Sequence, residues 1–199
     1  MKLKDYKLIF VAVGLVGILL IASPALSSAV HTTAGEPFSE LYILNLNHMA
    51  ENYPSNVAIG HTYSIYVVVG NHLGSSAYYS INVKLKNQTD FLPNTRTATP
   101  SPLQPLYNYR FSIPDGQNWE APFTFTVSNA SISGKQSTIN QLTVNDIKFD
   151  VNKSAAWDSN SSRFVYELVF ELWLYDGSTS SIQFNSRFVD LQLNLTKTP

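Results

Sequence analysis

The sequence contains no cysteine. That excludes disulfides, thiolate metal sites, a cysteine nucleophile and lipid attachment through an N-terminal cysteine. Charge is scarce too: Asp, Glu, Lys and Arg make up 14% of the 199 residues, against roughly 25% in an ordinary soluble domain. Without its first seven residues, which hold three Lys and one Asp, the chain keeps 10 basic and 13 acidic residues, a net charge of −3. No basic patch stands out, so nucleic acid is not an expected partner. Nor is there a nucleophile elbow, a phosphate loop or a zinc-protease helix. The expectation is therefore a protein that is not an enzyme and has no cofactor or metal.

Tyr, Ser, Thr and Asn supply the missing polarity, a mixture that suits strands and turns better than helices. Apolar residues make up 44% of the chain, and about 165 exported residues can bury a core without disulfides. Met1 to Lys7 is basic through Lys2, Lys4 and Lys7, and the 23 residues from Leu8 to Val30 carry no charge. Two readings fit residues 1–30. One is a signal peptide cleaved near Ala29; the other is an uncleaved helix long enough to span a bilayer. In both, the N-terminal lysines stay in the cytoplasm and the rest lies outside, membrane-anchored or secreted.

Residues 31–39 read as a linker, and residues 40–199 as one extracytoplasmic domain. The stretch Tyr63 to Asn87 sets its character. Ala77, Tyr79, Ile81, Val83 and Leu85 alternate with Ser80, Asn82, Lys84 and Lys86, which predicts a strand with one buried and one wet face. Tyr63 to Val69 is apolar on both faces, and Gly70 to Ser76 reads as the turn of a hairpin. Gln88 to Pro105 holds four prolines and reads as a long surface loop. Tyr107–Ile113 and Ala121–Val127 alternate around Pro114-Asp115-Gly116, a second hairpin. The phase slips at Asn145-Asp146, suggesting a bulge or bend. Phe164 to Tyr175 reads as a long central strand, and Ile182 to Asn194 as the last one, with a slip between Phe188 and Val189. The fold class predicted is all-β: an immunoglobulin-like antiparallel sandwich of about eight strands, preceded by one N-terminal hydrophobic helix.

Chemistry-bearing residues are few. His48 and Glu51 have a helical ligand spacing but fall in a predicted loop, which His72 could approach in space. Asp146, Asp150, Asp158 and Glu167 lack calcium-loop spacing and read as solvated acids. Glu167 and Glu171 on one strand face would stand about 13 Å apart, too far for a retaining carboxylate pair; a wet strand face is the simpler reading. Asn-x-Ser/Thr acceptors occur at Asn87, Asn129, Asn152, Asn160 and Asn194, each near a predicted loop or strand end where glycosylation is feasible. Asn71, His72, Trp119 and Trp157 mark possible binding loops, because aromatics at loop ends stack on sugars or anchor protein contacts.

Four segments carry a family resemblance: FSELYILNLNHMAENYP, VVVGNHLGSSAYYSINVKLKNQT, PLYNYRFSIPDGQNWEAPFTF and SAAWDSNSSRFVYELVFELWLY. Together they resemble the archaeal family catalogued as domain of unknown function 1616, over roughly Phe38 to Asn194. GNHLGSSAYY and NWEAPFTF are the most specific parts. The resemblance implies a membrane-associated protein with an extracytoplasmic β domain, and it brings no catalytic residues. The expected function is that of a non-enzymatic, membrane-anchored cell-surface protein, contacting the membrane through its N-terminal helix and another envelope protein through its β domain. The alternative is a carbohydrate- or peptide-binding module.

Overall fold

The computed structural model describes Tyr6, Val16, residues 36–159 and residues 161–196. Most of the predicted N-terminal segment, and Asn160, lie outside the described residues. Tyr6 and Val16 are helical and exposed. Among the described residues no helix is long and apolar enough to cross a membrane. The chain divides into two compact units, Met1–Pro37 and Phe38–Pro199.

The second unit is all-β, as its composition predicts. Its strands are β1 (Phe38–Leu44), β2 (Asn56–Ala58), β3 (Thr62–His72), β4 (Ala77–Asn87), β5 (Tyr107–Ile113), β6 (Asn118–Ser133), β7 (Gln136–Val144), β8 (Ile147–Asp158), β9 (Arg163–Asp176) and β10 (Ser181–Thr196). One ladder runs β1-β3-β6-β7-β8, all antiparallel. A second runs β5-β4-β9-β10-β2, antiparallel except where β2 pairs parallel with β10. They join where Trp157 and Asp158 pair with Phe164 and Arg163.

The ladders meet over one core. Phe123 of β6 packs edge-on against Phe170 of β9, with ring centroids 4.9 Å apart. Two hydroxyl pairs also cross it: Ser39 Oγ to Tyr79 Oη and Ser137 Oγ to Tyr166 Oη, each 2.8 Å. Both tyrosines are fully buried, so each phenol needs such a partner.

Neither predicted hairpin forms. β3 pairs with β1 and β6, whereas β4 pairs with β5 and β9, so Leu73–Ser76 carries the chain from one ladder to the other. The link from β5 to β6 crosses in the same way. Alternation is identical in an arch and a hairpin, since each needs only one apolar face per strand. Asn71 stitches the two crossings together. Its Nδ2 donates to the carbonyls of Ser75 (2.8 Å) and Ile113 (2.9 Å). Its Oδ1 accepts from Tyr79 Oη at 3.1 Å, and its backbone bonds to Gln117 O and Gly116 N.

Elsewhere the slips resolve differently. At Asn145-Asp146 there is no bulge but a two-residue turn between β7 and β8. Its φ values of 45° and 65° are the left-handed pair that a tight hairpin requires. In β10 the register shifts between Phe184 and Arg187, with Ser186 at φ 56°, slightly upstream of the expected slip.

The predicted wet faces of β4 and β9 are covered. Lys84 and Glu171 are 3% and 0% exposed. The segment from Gln88 to Leu106 lies over them as a strap. Ser101 N–H donates to Glu171 Oε1 at 2.8 Å, and Ser101 O accepts from Lys84 Nζ at 2.7 Å. Lys86 pairs with Glu167 at 3.3 Å, and Asp90 on the strap pairs with Lys153 of β8 at 2.8 Å. Glu167 and Glu171 are therefore neutralised structural acids, not a solvated pair.

Candidate functional site

Two surfaces carry chemistry. The first is the outer face of β1, β3 and β6. Along β1, β3 and β6 as far as Val127, odd-numbered residues point to the core, so even-numbered ones point outward. Register aligns Phe38 with His72, Glu40 with Gly70 and Asn118, Tyr42 with Val68 and Glu120, and Leu44 with Tyr66 and Pro122. Carboxylates, imidazoles and aromatic rings thus share one face.

His48 reaches this face from the loop after β1. Asn45 Oδ1 accepts from the backbone N–H groups of Asn47 and Met49, at 2.8 and 3.1 Å. His48 then adopts a left-handed backbone, φ 55°. Its ring stacks on Tyr66 at 4.3 Å, and its Nδ1 lies 3.0 Å from Glu120 Oε1. On the other side of the face, His72 stacks on Phe38 at 4.6 Å, and its Nε2 lies 3.7 Å from Glu40 Oε1. Tyr42 lies between the two carboxylates. Burial, then the negative charges of Glu40 and Glu120, push its phenol up.

His48 and His72 therefore belong to separate pairs. Tyr66, under His48, is six residues from His72 along β3, about 20 Å of strand. Glu51 does not join His48; Glu120 does. The other candidate acids are dispersed as well. Asp146 is in a turn, Asp150 bonds Gln141 at 2.9 Å, Asp158 bonds Ser161, and Glu167 pairs with Lys86. Among the described residues no three His, Cys, Asp or Glu side chains gather as a metal site.

The second surface is the end where β8 turns into β9. Trp157 is 38% exposed and packs edge-on against Phe164 at 5.1 Å. Its indole lines a cavity of about 520 Å³ together with Ile132, Lys135, Phe164, Asn194 and Leu195. It also lines a second cavity of about 510 Å³, whose other walls include Asn87, Gln88, Thr89, Gln136, Ala155 and Asp158. Trp157 is shared by both linings, and the second carries more side-chain amides.

Of the four predicted binding-loop residues, His72 and Trp157 reach these surfaces. Asn71 is fully buried, and its amide is committed to the two crossings, so it is a structural residue. Trp119 lies on β6, stacked on Phe111 at 3.7 Å and edge-on to Tyr109 at 5.3 Å, where it closes the margin of the core. Among the sequons, Asn129 and Asn152 are exposed, whereas Asn87 and Asn194 are half-buried. Asn87 donates its amide to Ser154 O at 2.7 Å, and Asn194 donates to Asn56 Oδ1 at 2.9 Å. Sequence reasoning misses Glu40, Asn118 and Glu120. Their even-parity phase is the available signal, but only strand register shows that they share a face.

The chain belongs to the family described as a domain of unknown function (DUF1616), whose model matches residues 32–151. No curated protein matches the sequence. Among solved structures, the chain is similar to the CARDB domain of a Pyrococcus furiosus protein in complex with di-metal ions. The identity is 10% and the TM-score 0.42, covering 84% of this chain and 100% of that one. A β-glucosidase from Listeria innocua in complex with gluconolactone matches at 9% identity and a TM-score of 0.39, over 80% of this chain and 16% of the enzyme. A family 123 glycoside hydrolase from Clostridium perfringens matches at 10% identity and a TM-score of 0.37, over 81% of this chain and 28% of the enzyme. The chain thus spans only a small part of either enzyme's length.

Proposed function

We propose that this member of a family of unknown function is a non-enzymatic, membrane-tethered protein whose immunoglobulin-like β-sandwich lies outside the membrane and docks another envelope protein. The observation that carries the reading is Trp157. The described Lys–carboxylate pairs serve to join β4 to β9 and to fasten the strap, yet this large indole stays partly exposed beside a groove lined by Ile132, Phe164 and Leu195. Half-exposed tryptophans beside apolar pockets are common anchors of protein contacts. The uncharged N-terminal run supports the tether. The test is to extract the full chain from its native membrane in mild detergent and identify stoichiometric partners by mass spectrometry. A partner retained by the native chain and lost with Trp157→Ala supports the proposal. A partner unaffected by Trp157→Ala, or no partner, overturns it.

A second reading rests on the polar groove beside the same indole. A tryptophan face bordered by Asn, Gln and Thr side chains suits a sugar ring or a peptide amide. Tryptophan fluorescence titrated with cell-envelope glycans tests it; a spectrum unmoved by any glycan retires the carbohydrate form.

A further inference from the structure

We propose that Glu40, His72 and Asn118 form a binding site for a divalent transition-metal ion of the zinc class, built over Gly70. The site follows from register. Glu40 on β1 and Asn118 on β6 are the cross-strand neighbours of Gly70 on β3, and His72 lies two residues further along the same face. Any residue other than glycine at position 70 would fill the space between them. A Cβ there would stand 2.9 Å from Glu40 Oε2, 2.9 Å from Asn118 Oδ1 and 3.2 Å from His72 Nε2. An amide oxygen, a carboxylate oxygen and an imidazole nitrogen therefore converge on one small volume above a bare backbone.

These groups do not satisfy one another. The His72–Glu40 approach of 3.7 Å is too long for a hydrogen bond. What such a convergence of lone pairs lacks is a positive centre. The His72 ring is held in orientation by its stack on Phe38. All three side chains sit on the solvent-facing side of the sheet. Binding requires rotations of these side chains that bring their ligating atoms to the about 2.0–2.2 Å of zinc–nitrogen and zinc–oxygen bonds.

The donor set selects the ion. Imidazole suits zinc, nickel and copper, while calcium and magnesium favour all-oxygen shells. One nitrogen and two oxygens leave coordination positions open for water or a donor from outside the chain. The His48–Glu120 pair is an internal control, because it lies on the same face but is already closed at 3.0 Å.

The experiment is a calorimetric titration of the full chain, purified in detergent and freed of metal, with Zn²⁺ and separately with Ca²⁺. Circular dichroism checks that each variant keeps the native strand signal. The native chain is expected to bind one Zn²⁺ and to prefer it to Ca²⁺. Glu40→Gln and His72→Gln each weaken Zn²⁺ binding by about tenfold or more. Gly70→Ala does the same by placing a methyl in the site. Asn118→Asp tightens binding by adding ligand charge, and His48→Gln leaves it unchanged. Failure of the native chain to bind Zn²⁺, equal affinity for Ca²⁺, native affinity in the Gly70→Ala, Glu40→Gln and His72→Gln variants, or loss in His48→Gln instead would each overturn the proposal.

Discussion

Lys84 Nζ and Glu171 Oε2 lie 2.8 Å apart on adjacent strands, both shielded from solvent. The pair is held by more than mutual attraction. Glu171 also accepts from Ser101 N–H and from Trp173 Nε1, and Lys84 also donates to Ser101 O. Ser101 is thus the clasp that fixes the strap to the outer face of β4 and β9. The strap thus adds a layer over the outer face of β4 and β9.

Breaking one side of this pair should be costly. Lys84→Met leaves a buried carboxylate without its cation and is expected to lower stability by about 3–5 kcal/mol. Adding Glu171→Leu removes the stranded charge and should recover most of that. A residual loss of about 1–3 kcal/mol is expected from the groups left without partners, Ser101 N–H and O and Trp173 Nε1. Urea unfolding of the two variants checks both steps. A Lys84→Met variant as stable as the native protein would show that water reaches the pair.

Asn71 should matter to stability far more than its place in a loop-like sequence suggests. Asn71→Ala strands two carbonyls and removes an acceptor from Tyr79. The expected cost is at least about 3 kcal/mol, on the scale of one to three per buried unpaired group. Asn71→Asp should cost as much, because it abolishes both donations. Denaturation midpoints of the two, set beside a near-native His72→Ala, separate this hub from its partly exposed neighbour.

In the sequence Asn71 and His72 look alike, two polar residues in one loop-like run. Period-two alternation correctly places Tyr79, Ile81, Val83 and Leu85 in the core, because burial of one face is a property of the strand itself. What covers the opposite face is not. Lys84 and Lys86 look wet because the proline-rich strap that buries them sits next in sequence and reads as loop. Arch and hairpin share one pattern, so the two crossings pinned by Asn71 are invisible at that level. Trp157 is legible as an exposed aromatic at a strand end. The grouping of Glu40, His72 and Asn118 is not, since only the β1-β3-β6 register brings these distant residues together.

Alkaline pH should destabilise the fold through buried phenols. Burial pushes the Tyr109 hydroxyl up to about 12; donation from Asn145 opposes this, and Tyr107 adds to it. Burial also raises Tyr79 and Tyr166. The folded chain therefore keeps protons that the unfolded chain releases near pH 10. The stabilisation is complete below that pH and is lost as pH rises toward 12. Urea midpoints should hold steady up to about pH 9 and fall beyond it. Tyr109→Phe should start lower, having lost its bonds to Pro122 O and Asn145, and fall less steeply. Identical slopes for the two proteins would show that Tyr109 does not set the alkaline limit.

Glycan occupancy should follow side-chain freedom rather than sequon count. Transfer requires the asparagine amide nitrogen to be accessible. At Asn87 that nitrogen donates to Ser154 O, while Oδ1 accepts from Thr89 and Asp90, so a glycan there would dismantle the turn leading into the strap. Asn194 donates to Asn56 where β2 joins β10. Asn129 and Asn152 are exposed, and Asn152 sits at a register shift with φ 46°, which presents its side chain away from the ladder. Glycopeptide mass spectrometry of protein from the native membrane should find Asn129 and Asn152 modified, with Asn87 and Asn194 bare. Modification at Asn87 in folded protein would mean that the sugar is added before the strap closes, and that the strap docks without the Asn87 turn.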